Sequence, residues 1–475
     1  MHRTNRHGLP PKGATSISIS RKDSGPDWVK VRREFAIVER TVPVLGGEER
    51  PLVYLDHAAS THAPNSVVTA YADFLQHEYS NVHRGTHLLS RRATARFDEA
   101  QGQLASFIGA EIEHAAICFV MNTTQAIDLA SHVVAHLPGK VVTTEMEHHS
   151  NDLPHRRRGE VLRARITSDG MVDLGHLEEI LRNDRVKLVA VTGGANVTGL
   201  LPDLRAIARM AHERGALVLV DAAQLLAHHV IDVRPFDDPE HIDFLAGAGH
   251  KAYAPFGAGF LYGPRALFDE APPYLPGGGN AARVTESSAE FLPAPDRHHG
   301  GTPNIAGVVG LISALSFLRS IGMSEVRKHE VDLTRKAIVG MQEIGGITIY
   351  GNPSPEARLG VISFNVNGVS ELMTAAVLSE EGGLAVRNGR FCAHIYMDRL
   401  LRIHHGEAAA DVPSGAVRAS FGVYNDDSDV DRFLEQLKKV RDRAWVGRYH
   451  VKGGEMMAEF ASRCADQWME STREG

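Results

Sequence analysis

The residues of this chain best suited to chemistry gather at the ends of short apolar runs. In AGAGHKAYAPFGAGFLYG (246–263) one primary amine, Lys251, stands among glycines, alanines and aromatics with no acid beside it. Such a setting desolvates an ammonium and lowers its pKa, which leaves free amine for nucleophilic attack. ALVLVD (216–221) ends in Asp221, and a carboxylate at the end of a buried strand calls for a cation or for donors. Gln224 follows and can offer an amide. AICFVMNTTQAI (116–127) passes from a strand-like run through Asn122, Thr123 and Thr124 into a helical pattern, where backbone N–H groups, hydroxyls and the helix dipole form a cradle for an anion. KVVTTEMEHHSN (140–151) brings His148 and His149 to another strand end, and His250 precedes the lysine. Taken singly, each has an ordinary structural use: threonine caps helices, histidine bonds backbone, and lysine extends from loops.

Together they match one ligand. Pyridoxal 5′-phosphate needs a cradle for its phosphate, an acid that keeps the ring nitrogen protonated, a flat imidazole to stack on the ring, and an amine to form the Schiff base. Lys251 and Asp221 must then meet on one rim of one sheet. A further group selects among reactions. VRNGRFCAH (386–394) sets Cys392 in a glycine-containing loop with Arg387 and Arg390 nearby, where positive charge favours the thiolate. Cys118, inside AAICFV, reads as an inert core residue, and Cys464 as incidental.

The elements that must position these residues form an α/β pattern. AAICFV, KVVTT, KLVAVT, ALVLVD and IDFLA are strand candidates, separated by helical stretches such as PDLRAIARMAHERG, where Leu204, Ile207, Ala208 and Ala211 share a face and Gly215 ends the helix. Crossovers of this kind build a mostly parallel sheet flanked by helices, and ligands collect at the carboxyl ends of its strands. The later part, with a long apolar helix from TPNIAGVVGLISALSFLRSIG and strands LGVISFNVNG and VRASFGVYN, forms a smaller α/β domain. The expected organisation is a disordered tail over 1–28, a segment over 29–50 packing with the small domain, a large domain over 51–319, the small C-terminal domain over 320–447 and a helical appendage over 448–475.

Bulk composition narrows the partners. The 475 residues are 43% hydrophobic and carry a formal net charge of -7, so there is a large core and no basic field for nucleic acid or membrane surfaces. Three scattered cysteines build no disulfide framework, which fits a cytoplasmic protein. Histidine pairs occur at 148/149, 228/229, 298/299 and 404/405, but adjacent histidines point apart and rarely share an ion, so no metal is expected.

An ordered series of motifs carries a family resemblance: YLDHAAS (54–60), SNVHRGTHLLSRRATARFDEA (80–100), NTTQAI, EMEHHSN, ANVTG (195–199), DAAQ (221–224), GHKAYAPFGAGFLYG, GGTPN (300–304) and VRASFGVYN (417–425). The chain resembles the class V aminotransferase-fold family, most closely the group II, SufS-like cysteine desulfurases and selenocysteine lyases. The resemblance implies a fold-type I pyridoxal-phosphate-dependent transferase acting as a homodimer, with Lys251 as the Schiff-base lysine, Asp221 at the ring nitrogen, Gln224 at the ring hydroxyl and His148 stacked on the ring. It places Thr123, Thr124 and His250 on the phosphate, with Thr302 reaching it from the other subunit. Asn196, Arg418 and Arg387 would take the substrate carboxylate, and Cys392 matches the family's nucleophile. The implied reaction removes sulfur from L-cysteine, or a related sulfur or selenium amino acid, through a Cys392 persulfide to give alanine, with the sulfur passed to an acceptor protein. Ala248 and Ala195 depart from the family's serines, and RFCAHIYMDRLL departs from its usual cysteine loop. Two alternatives therefore stay open: a C–S lyase or epimerase that does without Cys392 and uses Lys251 as its base, and a non-catalytic scaffold of the same fold.

Overall fold

The computed structural model describes residues 25–406 and 412–458. Seven strands form the main sheet: β1 (Ala115–Val120), β2 (Lys140–Thr144), β3 (Val161–Ala164), β4 (Val186–Thr192), β5 (Leu217–Asp221), β6 (Phe244–Ala248) and β7 (Gly259–Pro264). Their order is β1-β7-β6-β5-β4-β2-β3. β2 to β6 are parallel, and β7 alone is reversed, lying antiparallel between β1 and β6. VKLVAVT and LVLVD are almost wholly buried, as strands covered by helices on both faces must be. Register aligns their ends: Asp221 lies beside Thr192 of β4 and Ala246 of β6.

Helix α1 (Thr123–Val133) follows β1, with Asn122 as its cap, accepting the Gln125 N–H at 3.0 Å. β7 passes directly beneath this turn. A Cβ on Gly259 would stand 2.7 Å from the Asn122 backbone, so only glycine allows the approach. Helix α2 (Leu204–His212) buries Ile207, Ala208 and Ala211 against the sheet and stops before Gly215, whose φ is +70°. α3 (Ile305–Ile321) is buried on nearly every side.

A second, antiparallel sheet holds β8 (Ile347–Ile349), β9 (Val361–Val366), β10 (Arg387–Gly389) and β11 (Ala416–Ser420) in the order β8-β9-β11-β10. Helices α4 (Met323–Ile344) and α5 (Asp427–Arg441) pack on it around Phe364, Phe433 and Leu437. The N-terminal residues cross to this unit. Arg32, on the helix Trp28–Arg33, bonds the Tyr424 carbonyl and Asp429, and Val53–Tyr54 pairs in parallel with Leu384–Ala385.

The C-terminal stretch differs from the helix expected after residue 448. Tyr449–Lys452 and Glu455–Ala458 pair as an antiparallel hairpin about Gly453 and Gly454, whose φ values of +62° and +88° supply the turn. The rest of the expected appendage, with Cys464, and most of the expected tail lie outside the described residues. Among the described residues no single helix is long and apolar enough to cross a membrane.

Candidate active site

The carboxyl ends of β2, β5 and β6 and the turn after β1 bring most of the expected residues to one rim. Asp221, 4% exposed, closes β5 and accepts the Ala223 N–H at 2.9 Å. Burial raises its pKa, opposed by that bond and by the charge of Lys251. Lys251 stands at the end of the short turn Gly249–Lys251 that leaves β6. Burial first, then the charge of Arg418, lowers its amine to about 8, while Asp221, Cys392 and Asp56 pull the other way. Lys251, Asp221 and Arg418 therefore share one electrostatic environment, as the sequence required of the first two.

His148 follows β2. Its Nδ1 accepts the Ser150 N–H at 3.1 Å, which leaves the proton of the neutral ring on Nε2. Burial, then the charge of Lys251, lowers its pKa to about 4, so the ring is an uncharged plate. Ser150 Oγ lies 3.0 Å from the same Nδ1 and 2.7 Å from Thr124 Oγ1. Thr124 is thus tied to the ring's support, and Ser150 is a positioning residue that the sequence did not single out.

Thr123, the other threonine expected at an anion, is unengaged. At the first position of α1 its hydroxyl is buried and has no partner, which is costly unless a ligand oxygen meets it. His250 lies beside Ser60 (Nδ1 to Oγ, 3.4 Å), and burial, then Lys251, lowers its pKa to about 4. Gln224 corrects the expectation of a free amide donor. Its Nε2 donates to the Ala58 carbonyl at 2.7 Å, and its Oε1 is the buried group left without a partner. It can accept a hydrogen bond from a ring hydroxyl. Thr302 is exposed, on the loop before α3, and makes no hydrogen bond to these residues. The unpartnered Thr123 hydroxyl and Gln224 oxygen, the buried acid and the lowered amine together fit a phosphorylated pyridine aldehyde.

The second sheet supplies the other side. Arg418, on β11 and 2% exposed, donates Nη1 to the Asn196 carbonyl (3.0 Å) and Nη2 to Asp56 (3.2 Å), and stacks 4.7 Å from the Phe391 ring. Burial lowers its pKa to about 10, yet it stays charged at neutral pH. Asn196 Nδ2 donates to the Phe391 carbonyl at 2.7 Å. Cys392, exposed, comes next, and both residues adopt left-handed φ values, +53° and +54°. The Cys392 carbonyl accepts the His149 N–H at 2.8 Å, which moors this tip to the end of β2.

The two guanidiniums expected near Cys392 are each ion-paired. Arg387 binds Asp56, and Arg390 binds Asp398 (3.0 Å) and the Ser414 carbonyl (2.8 Å). Asp56, within YLDHAAS, is a second residue whose place the sequence does not announce. A third residue without an assigned role is Glu147. Burial raises its carboxyl to about 8 against bonds from Thr144 and Asn151, so it holds a proton at neutral pH and adds no charge beside Asp221.

The model of the family "Aminotransferase class-V" matches residues 53–433. A cysteine desulfurase of Dickeya dadantii is 37% identical over 425 residues, 86% of this chain and 96% of its own, and one of Haloferax volcanii is 36% identical over 431 residues, 87% and 96%. Among solved structures, apo cysteine desulfurase from Thermococcus onnurineus aligns with a TM-score of 0.75 at 32% identity, covering 82% of this chain and 95% of its own. The cysteine desulfurase CsdA of Escherichia coli, in its S-sulfonic acid form, aligns with a TM-score of 0.74 at 29% identity, covering 88% and 99%.

Proposed function

We infer the reaction from one premise: the chain belongs to the aminotransferase class-V family. It is a cysteine desulfurase, converting L-cysteine to alanine and leaving the sulfur on Cys392. One observation carries this assignment. The exposed thiol of Cys392 sits on the same short segment whose Phe391 is gripped by Asn196 and Arg418, so nucleophile and carboxylate receptor are held in fixed relation.

Pyridoxal 5′-phosphate, when bound, supplies the electron sink that makes the substrate's Cα–H and Cβ–S bonds breakable. Thr123 and His250 would hold its phosphate, Asp221 its ring nitrogen, Gln224 Oε1 its hydroxyl and His148 its ring face. Lys251, with its amine lowered to about 8, gives free base near neutral pH both to attach the aldehyde and afterwards to carry the proton at Cα. Arg418 and Arg387 orient the substrate through its carboxylate. The Cys392 thiolate attacks the substrate sulfur. A new S–S bond forms, the Cβ–S bond breaks, and the electron pair left on carbon ends, with a proton, as the methyl group of alanine. The persulfide then passes to an acceptor protein. The chain works as a homodimer in the cytoplasm, with the exposed Thr302 reaching the phosphate of the partner subunit's site.

Incubating the protein with L-cysteine and weighing Cys392 peptides by mass spectrometry tests this. One added sulfur atom is expected, together with loss of alanine formation in Cys392→Ser. Undiminished turnover of L-cysteine by Cys392→Ser would overturn it, and pyruvate and ammonia in place of alanine would mark a C–S lyase.

A further inference from the structure

Two guanidiniums and one carboxylate meet beside Cys392. Arg387 donates Nε to both oxygens of Asp56 (2.9 and 3.2 Å) and Nη2 to Oδ2 (2.8 Å), while Arg418 donates Nη2 to Oδ1 (3.2 Å). The backbone fixes the place of the acid. Asp56 forms a parallel bridge with Ser420, and Ser420 Oγ accepts the Ala58 N–H at 2.9 Å. Asp56 therefore stands where it does independently of the arginines, and they come to it.

The charges do not balance. Two cations share one anion, and the Nε of Arg418 is buried without a partner. An unmet buried donor on a charged group is expensive, and one further carboxylate would satisfy both the donor and the surplus charge. An α-amino acid brings one.

We propose that Asp56 is a positioning residue for substrate recognition: a resident carboxylate that holds Arg387 and Arg418 side by side and leaves them a single uncompensated positive charge, matched to the one α-carboxylate of the substrate. This rests on the assignment of Arg418 as carboxylate receptor made above. Without Asp56 the two like charges repel, and Arg387, whose side chain is 52% exposed, turns out into water. The substrate then meets Arg418 alone.

The test uses the full chain with its cofactor, as Asp56→Asn, Asp56→Ala and Arg418→Ala, assayed on L-cysteine with sodium formate or, for ionic strength, sodium chloride. Asn keeps the volume and removes the charge. Asp56→Asn should raise KM about tenfold or more, the scale of one charge-assisted hydrogen bond, with kcat changed less than about threefold. Formate should refill the gap in Asp56→Ala, lowering its KM and raising its melting temperature saturably, whereas in the wild type it only competes with substrate. A merely structural aspartate would be replaced adequately by Asn. A KM for Asp56→Asn within about twofold of wild type, or identical formate responses in wild type and Asp56→Ala, overturns the proposal, and the first criterion stands alone if Asp56→Ala does not fold. A raised KM in Arg418→Ala beside an unchanged one in Asp56→Asn removes only the role of Asp56. An unchanged KM in Arg418→Ala removes the receptor and the proposal together.

Discussion

Replacing Lys251 with methionine should make the cofactor-free protein more stable at neutral pH, although it destroys the site. Burial, and next the charge of Arg418, hold the Lys251 amine at about 8 against an ordinary 10.5. Between those values the unfolded chain binds more protons than the folded one, so stability rises with pH. The cost of burying the ammonium is fully present below about 8 and gone above 10.5. The gap corresponds to about 3 kcal/mol at the acid end. Methionine fills similar space and carries no charge, so it escapes the cost. Urea unfolding of both cofactor-free proteins, from about pH 7 to about pH 9.5, should show the advantage of Lys251→Met shrinking by about 2 kcal/mol. His148 and His250, which feel the charge of Lys251, titrate well below this range, and groups that do not feel it cancel in the difference. An advantage that stays constant across this range, or a variant less stable at pH 7, would refute the inference that the amine is desolvated.

Thr123→Val removes a buried hydroxyl that has no partner, so the cofactor-free chain should melt at the same temperature or higher while the cofactor is lost more readily on dialysis; a lower melting temperature with retention unchanged would mean the hydroxyl is satisfied within the protein. His241 and His212 set their Nε2 atoms 3.0 and 2.9 Å from the two oxygens of Asp243, with the rings stacked 4.0 Å apart. Burial draws the His241 pKa down, but the bond and charge of Asp243 outweigh it and leave it raised, while burial of Asp243 is outweighed by its two histidines and its pKa is lowered. The histidine's contribution is complete below its unfolded value and lost as pH rises through the raised one, and the acid's is complete above its unfolded value and lost as pH falls through the lowered one. His241→Gln should therefore lower the melting temperature more at about pH 5.5 than at about pH 9, and an equal loss at both would contradict the pairing.

Much of the site was readable because its parts lie at strand ends, where pattern and chemistry coincide. Asp221 closes an uninterrupted apolar run, and Lys251 follows another, so the rim could be drawn before the sheet was seen. What escaped depends on contacts between distant segments. That Arg387 and Arg418 both bind Asp56, far from them in sequence, is one such contact. The side-chain amide of Gln224 turns to Ala58 for the same kind of reason, since nothing local says which neighbour it will find. Ser150 shows its role only through the paired contacts to His148 and Thr124. The hairpin at Tyr449–Ala458 was a different failure: Gly-Gly between two four-residue runs is a turn signal, and the helical look of the text that follows it concealed the break.

The active site draws one wall from strands that end by Ala248 and the other from Arg418 and Cys392, more than a hundred residues further on. Synthesis from the N-terminus therefore completes the sheet rim while Arg418 and Cys392 are still unmade. A nascent chain thus carries Lys251 and Asp221 well before the strand that bears Arg418 emerges.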